Sequence, residues 1–280
     1  MVKKFLFCLL VFSLWSCSSN NDEPQVPVSP ISLDTPPSEY MGYVYTFNDL
    51  DYNYFLSVGF DKRCQLASIP QAALDNMTTE SLSQCSLFWP LCGNHIFYPN
   101  GRNSIYDGIL ISFNHCNVLK ELAKREHGAI ALLKLYKFLK YKEFEYKHNW
   151  YETDISKLND EISHKQHLEL LFATEYFTPK LSKDMLILLA DRGMELILKN
   201  IDEKGEIAWW RARYTFVMLQ RVLLCYDKFT PILSDDEKTI FTQNIESFGI
   251  EKDIGGFDQN LEYSSLISQK VALILASNQN

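Results

Sequence analysis

Two histidines three residues apart, His164 and His167, with Glu161 a turn before them, have the spacing of metal ligands. Residues at i and i+3 share a helix face, so two imidazoles there could hold a metal ion. No third close ligand is identifiable, and the plainer reading is a pair of surface histidines at a helix start. A second constellation is Trp209-Trp210-Arg211-Ala212-Arg213-Tyr214, following Gly205-Glu206. Aromatic faces beside guanidinium forks suit stacking on sugars or capture of an anionic group. Trp209, Trp210, Arg211 and Arg213 are therefore ligand-binding candidates. Adjacent Trp side chains on a helix cannot share a face. The competing reading buries one Trp in the core, with an arginine lying over it.

The acidic residues Glu143, Glu145, Glu152, Asp154, Asp160 and Glu161 fall in a Lys- and Tyr-rich stretch. Paired carboxylates about 5–10 Å apart run glycoside hydrolysis, but a solvated helix face accounts for these charges equally well. No G-x-S-x-G, no H-E-x-x-H and no glycine-rich phosphate loop is present. His95 and His115 fall near Cys92 and Cys116, and a Cys/His dyad would need them to meet in space. No cofactor is implied. Five cysteines belong to the body of the chain: Cys64, Cys85, Cys92, Cys116 and Cys225. No C-x-x-C occurs, which leaves a zinc ribbon or thioredoxin-type site unsupported. In an oxidising compartment a Cys85–Cys92 or Cys92–Cys116 bridge is open; buried thiols acting as small hydrophobes are the alternative.

The elements that must position these groups read as helices. The chain is 46% hydrophobic and has only 11 Gly and 10 Pro in 280 residues, so it can bury a large core with few turns. From Ile69 onward the apolar spacing is three and four. Pro70 suits a first helical position. Thr78 caps a helix running to about Trp89. The apolar residues between Ser104 and His127 form one stripe that Gly128 would close. Ile130 to Tyr141 is another helix. Ser163 to Gln166 has capping-box spacing and would open a helix ending at Thr178-Pro179. The next runs through Leu186, Leu189, Met194 and Ile197. Ser234 to Glu237 is a second capping box, its helix closed by Gly249, and a last helix spans about Gln259 to Ala276. The expected fold is mainly α: an irregular helical bundle or stacked helical hairpins over residues 69–280. Aromatic, roughly alternating sequence at 39–68 predicts a small β or irregular N-terminal cap.

The N-terminus carries a different signal. Lys3 and Lys4 precede an apolar run from Phe5 to Leu14, too short to cross a bilayer as a helix. Leu14-Trp15-Ser16-Cys17 follows, so residues 1–16 read as a signal peptide. The Leu-x-Ser-Cys ending resembles the bacterial lipobox, which makes Cys17 the predicted lipid attachment site; Trp15 stands where a small residue is usual. Residues 17–38, polar, acidic and proline-rich, read as a disordered tether. Losing Lys3 and Lys4 with the signal peptide takes the formal charge from −8 to −10. So acidic a chain is no general binder of nucleic acid, and its membrane attachment would come from the lipid.

A serine- and acid-rich stretch after such a cysteine is similar to lipoproteins of the Bacteroidetes, in which it can direct export to the cell surface. Ile69-Pro70, Met77-Thr78-Thr79-Glu80-Ser81-Leu82, Pro90, Phe113-Asn114, Glu121-Leu122, Arg125 and Leu132-Leu133 resemble an uncharacterised Bacteroidetes lipoprotein family. The resemblance covers about a quarter of the chain. It implies a cell envelope protein, lipid-anchored at the outer membrane, and carries over no functional residue. The expected role is a binding or interaction module for a protein or glycan partner. The alternatives are an envelope hydrolase acting on glycans with paired carboxylates, and a purely structural component.

Overall fold

The computed structural model describes residues 31–38, 54, 57–87, 104–139, 155–199, 209–249 and 259–277. The predicted signal peptide, Cys17 and most of the predicted tether lie outside the described residues, as do Cys92, His95 and residues 140–154. Among the described residues there are eleven α-helices and no strand. They are α1 (Phe60–Leu66), α2 (Gln71–Asn76), α3 (Thr79–Leu87), α4 (Ile105–His115), α5 (Asn117–Lys124), α6 (Gly128–Lys137), α7 (Ile155–Ala173), α8 (Lys183–Leu198), α9 (Trp209–Tyr226), α10 (Asp235–Glu246) and α11 (Gln259–Ala276). A short 3-10 turn, Thr178–Lys180, stands between α7 and α8. The mainly helical, irregular bundle expected from the sequence is what the chain forms.

Helix α9 is the hub. From Ala212 to Tyr226 nearly every residue is buried, on all sides, as a helix must be when neighbours surround it. Helices α7, α8, α10 and α11 pack around it, while α3, α5 and α6 form a second group joined to the first through α6 against α7 and α8, and α4 against α7 and α10. One continuous apolar core runs through both groups.

Several boundaries follow from local chemistry. Ser234 and Glu237 form the capping box the sequence predicts, each side chain bonding the other's backbone N–H. The Thr78 hydroxyl accepts from Ser81 N–H at the start of α3. Ser104 and Asp107 cap α4 in the same reciprocal way, an S-x-x-D pattern that the reading of one continuous stripe passed over. The last helix has the limits expected of it.

Several expectations are corrected. The stripe between Ser104 and His127 is two helices, broken at Cys116, whose backbone is extended (φ −88, ψ 106). The break lets Asn117 clasp Ile69, accepting from its N–H and donating to its carbonyl at 2.7 Å. Ser163 does not cap: α7 begins at Ile155 and runs through it. Burial of residues 165–174 against the hub outweighs a chance capping pattern. That helix also stops at Ala173, before the predicted Thr178-Pro179. In the predicted cap, the described part is helical. Cys64 and Ala67 are buried three residues apart, so a helical period replaces the aromatic alternation read further upstream.

Gly128 opens α6 where the sequence reading has it closing a helix. A Cβ there would lie 2.0 Å from the Leu122 carbonyl oxygen, so only glycine lets the α5–α6 turn close. Gly249 does terminate its helix, at φ +83, and a Cβ there would fall 2.3 Å from the Ile105 side chain. There Ile105 N–H donates to Phe248 O at 2.7 Å.

The α9–α10 loop is organised by Asp227. Its carboxylate accepts from the N–H groups of Ile232 and Leu233 at 2.6 and 2.8 Å and pairs with Lys238 at 2.9 Å. Burial opposes its charge, but those donors outweigh burial and hold the carboxyl below the ordinary aspartate range.

Two outcomes are expected. Gly128→Ala and Gly249→Ala should each lower the unfolding free energy by about 1–3 kcal/mol, read as a shift in urea midpoint. A group whose pKa is depressed on folding gives stability that is complete above its unfolded value, about 3.9 for Asp, and is lost as pH falls through the folded value. Acid titration of the unfolding free energy should therefore show a smaller loss below pH ~4 in Asp227→Asn than in the natural chain; equal slopes would contradict the assignment.

Candidate functional site

The densest buried cluster of ionisable and hydroxyl groups among the described residues lies where α6, α7 and α9 meet. Lys165 and Glu169 stand four apart on α7, one turn on the same face. Their side chains are 2% and 0% exposed, and Lys165 Nζ reaches both carboxylate oxygens at 2.8 Å. Lys165 also donates to Thr215 Oγ1 at 2.9 Å, and Thr215 donates to Glu169 Oε1 at 2.7 Å. Tyr136, from α6, donates its hydroxyl to that same oxygen at 2.8 Å. Burial, and then the neighbouring Glu169 charge, hold the Tyr136 hydroxyl well above the usual tyrosine range. It stays a neutral donor.

A carboxylate with three donors, one of them an ammonium that also bonds Thr215, forms a clamp inside the core that joins three helices. In a low-dielectric interior such a pair is tolerated because its hydrogen bonds replace lost hydration. The i, i+4 spacing of Lys165 and Glu169 was legible in the sequence. Thr215 and Tyr136, fifty and twenty-nine positions from Lys165, were not.

The histidine pair lies on α7 beside this clamp. His167 is fully buried and His164 only half-buried, so the expectation of two surface histidines is corrected for His167. Among the described residues no group of three or more His, Cys, Asp or Glu side chains is placed to hold a metal ion. Side chains at 155–163, including Glu161, lie outside the described residues.

Trp209, Trp210 and Arg211 open α9; their side chains also lie outside the described part of the chain. Arg213 is turned onto aromatic rings of the molecule itself. Its guanidinium carbon sits 5.0 Å from the Tyr214 ring centre and 6.0 Å from that of Phe248. The Tyr214 and Phe248 rings meet edge to face at 5.1 Å, tying α9 to the end of α10. The rings beneath this arginine are Tyr214 and Phe248.

The described cysteines Cys64, Cys85, Cys116 and Cys225 are buried thiols. Burial, and then Asp61, push Cys64 up to about 11, and burial pushes Cys116 up to about 12. Such thiols are poor nucleophiles at neutral pH. No helix among the described residues is long and apolar enough to cross a membrane.

Compared with protein-family models, curated proteins and solved structures, the chain matches none of them.

Removing one member of the clamp strands a buried charge. Glu169→Gln should cost about 3–5 kcal/mol of unfolding free energy. In Lys165→Met/Glu169→Gln the loss should be clearly smaller than the sum of the two single losses. Strict additivity in urea denaturation would show that the pair does not act as a unit.

Proposed function

We propose that this chain is a lipid-anchored cell-envelope protein, held at the outer membrane through Cys17, whose helical body binds a protein or glycan partner. The observation that carries the reading is how the chain enters its body. Residues 31–38, the end of the predicted tether, form no helix or strand but are strapped across α3 and α6. Lys137 donates to the Leu33 carbonyl at 2.8 Å, and Gln84 donates to the Ser38 carbonyl at 2.7 Å. Ser38 donates to Glu80 at 3.0 Å, and Glu80 is paired with the buried Lys134. Lys134 also reaches Thr35 at 3.5 Å. Leu33 packs on the core.

A spacer strapped down at Leu33 hands the body to the membrane at one fixed point. From Cys17 to Leu33 the chain spans at most about 58 Å when fully extended. With more than one acyl chain at Cys17, attachment would be firm without a spanning helix. The resemblance to Bacteroidetes lipoproteins points to the same compartment.

Labelled palmitate should enter the protein in growing cells, and Cys17→Ala should abolish labelling and move the protein to the soluble fraction. A Cys17→Ala protein that still sediments with membranes would overturn the placement.

A further inference from the structure

The turn that succeeds α7 is fastened from within. Thr174 donates its hydroxyl to the Leu171 carbonyl and accepts from Tyr176 N–H at 3.3 Å. Thr178, fully buried, donates to the Phe172 carbonyl. Arg221, on the hub helix, donates from Nε to the Ala173 carbonyl at 2.8 Å. Phe177 is buried edge-on to Phe113. The two residues this frame leaves outside are neighbours, Glu175 and Tyr176.

Tyr176 lies flat on Phe113, ring centres 3.8 Å apart and planes 2° from parallel. Phe113 is 6% exposed, whereas Tyr176 keeps 36% of its surface in solvent. One face of the tyrosine is thus covered by its partner ring, and a ligand would approach from the opposite side. The Glu175 side chain is 76% exposed, with its carboxylate held 3.4 Å from Arg221 Nη1. Arg221 is itself anchored in the core. A clamped ring next in the chain to an anchored carboxylate has the chemistry of a sugar platform. The π-face turned away from Phe113 carries the negative side of the ring quadrupole and would meet the weakly positive C–H groups of a pyranose ring. The carboxylate accepts from hydroxyls, and the phenol both donates and accepts. A tyrosine already fixed in place loses little entropy when a ligand lands on it. Shielding Phe113 from water would need an apolar cover but no adjacent carboxylate. The carboxylate, on a chain of net charge −8, disfavours acidic sugars.

We propose that Tyr176, with Glu175 beside it, is a contact site for an uncharged hexose unit of a glycan. This rests on the binding reading above and narrows its partner to a carbohydrate, but it does not depend on the lipid anchor.

The test uses the full chain, solubilised in a detergent without a sugar headgroup and applied to an array of neutral and acidic oligosaccharides. The best neutral binder is then measured by calorimetry. Binding to neutral oligosaccharides is expected, weakened about tenfold or more in Tyr176→Ala and several-fold in Glu175→Gln, and kept within about threefold in Tyr176→Phe. Because Tyr176→Ala uncovers Phe113, circular dichroism checks its fold. Glu175→Gln, on an exposed side chain, tests the site without disturbing packing. The proposal is overturned if no neutral oligosaccharide binds, if binding survives both Tyr176→Ala and Glu175→Gln, if acidic glycans bind better, or if Tyr176 binds aromatic peptides in place of sugar. A palmitate-labelled protein that binds no neutral sugar sinks this site and leaves the envelope placement standing. An unlabelled, soluble protein that binds sugar through Tyr176 does the reverse.

Discussion

The paired charges of Lys165 and Glu169 sit where water cannot reach them, and the arrangement of helices around them is what makes that tolerable. Coulomb attraction alone does not repay the desolvation of two ions. The remainder comes from hydroxyls delivered by other helices, Thr215 from the hub and Tyr136 from α6. The clamp therefore forms only when α6, α7 and α9 are all in place. Apolar surface supplies most of the driving force for burying α9, but it is nondirectional. The clamp adds direction, because a slip of any of the three helices would leave a charge or hydroxyl unpaired.

A second rule runs through the fold: cations close helix ends that belong to other helices. Arg125 donates to the carbonyls of Leu74 and Met77 at the end of α2. Arg192 donates to Tyr136 and Leu139 around the end of α6. Arg221 meets the last residue of α7, and Lys180 reaches Ala123 near the end of α5. Each satisfies orphan carbonyls at the negative end of a helix dipole. These short helices have few turns of their own, and such long-range caps set the angles at which they join. An acidic chain that spends cations this way keeps fewer of them at its surface.

The same economy shapes the functional reading. The strap at 31–38 uses Lys134 and Lys137 to fix where the N-terminal segment enters the body. Arg221 is shared between the end of α7 and Glu175, and so carries the core's order out to the turn that presents Tyr176. Anchor and sugar platform, as proposed, are outward extensions of packing rather than additions to it.

Sequence alone determined the helical class, the capping box at Ser234, the Thr78 cap at the start of α3, the stop at Gly249 and the limits of the last helix. These depend on spacings of three and four residues and on side chains that bond their own backbone, so they are written locally. The expectations of a signal peptide and a lipid site are likewise read from local patterns. Tertiary structure decided the rest. It broke the Ser104–His127 stripe at Cys116, because Asn117 is needed by Ile69, and it ran α7 straight through Ser163, because the hub buries residues 165–174. It drew His167 inward, turned Arg213 onto Tyr214 and Phe248, and set Tyr176 on Phe113. Each of these outcomes depends on a partner tens of residues away or on the burial that a neighbouring helix imposes, and pattern along the chain holds no record of which distant residues will meet.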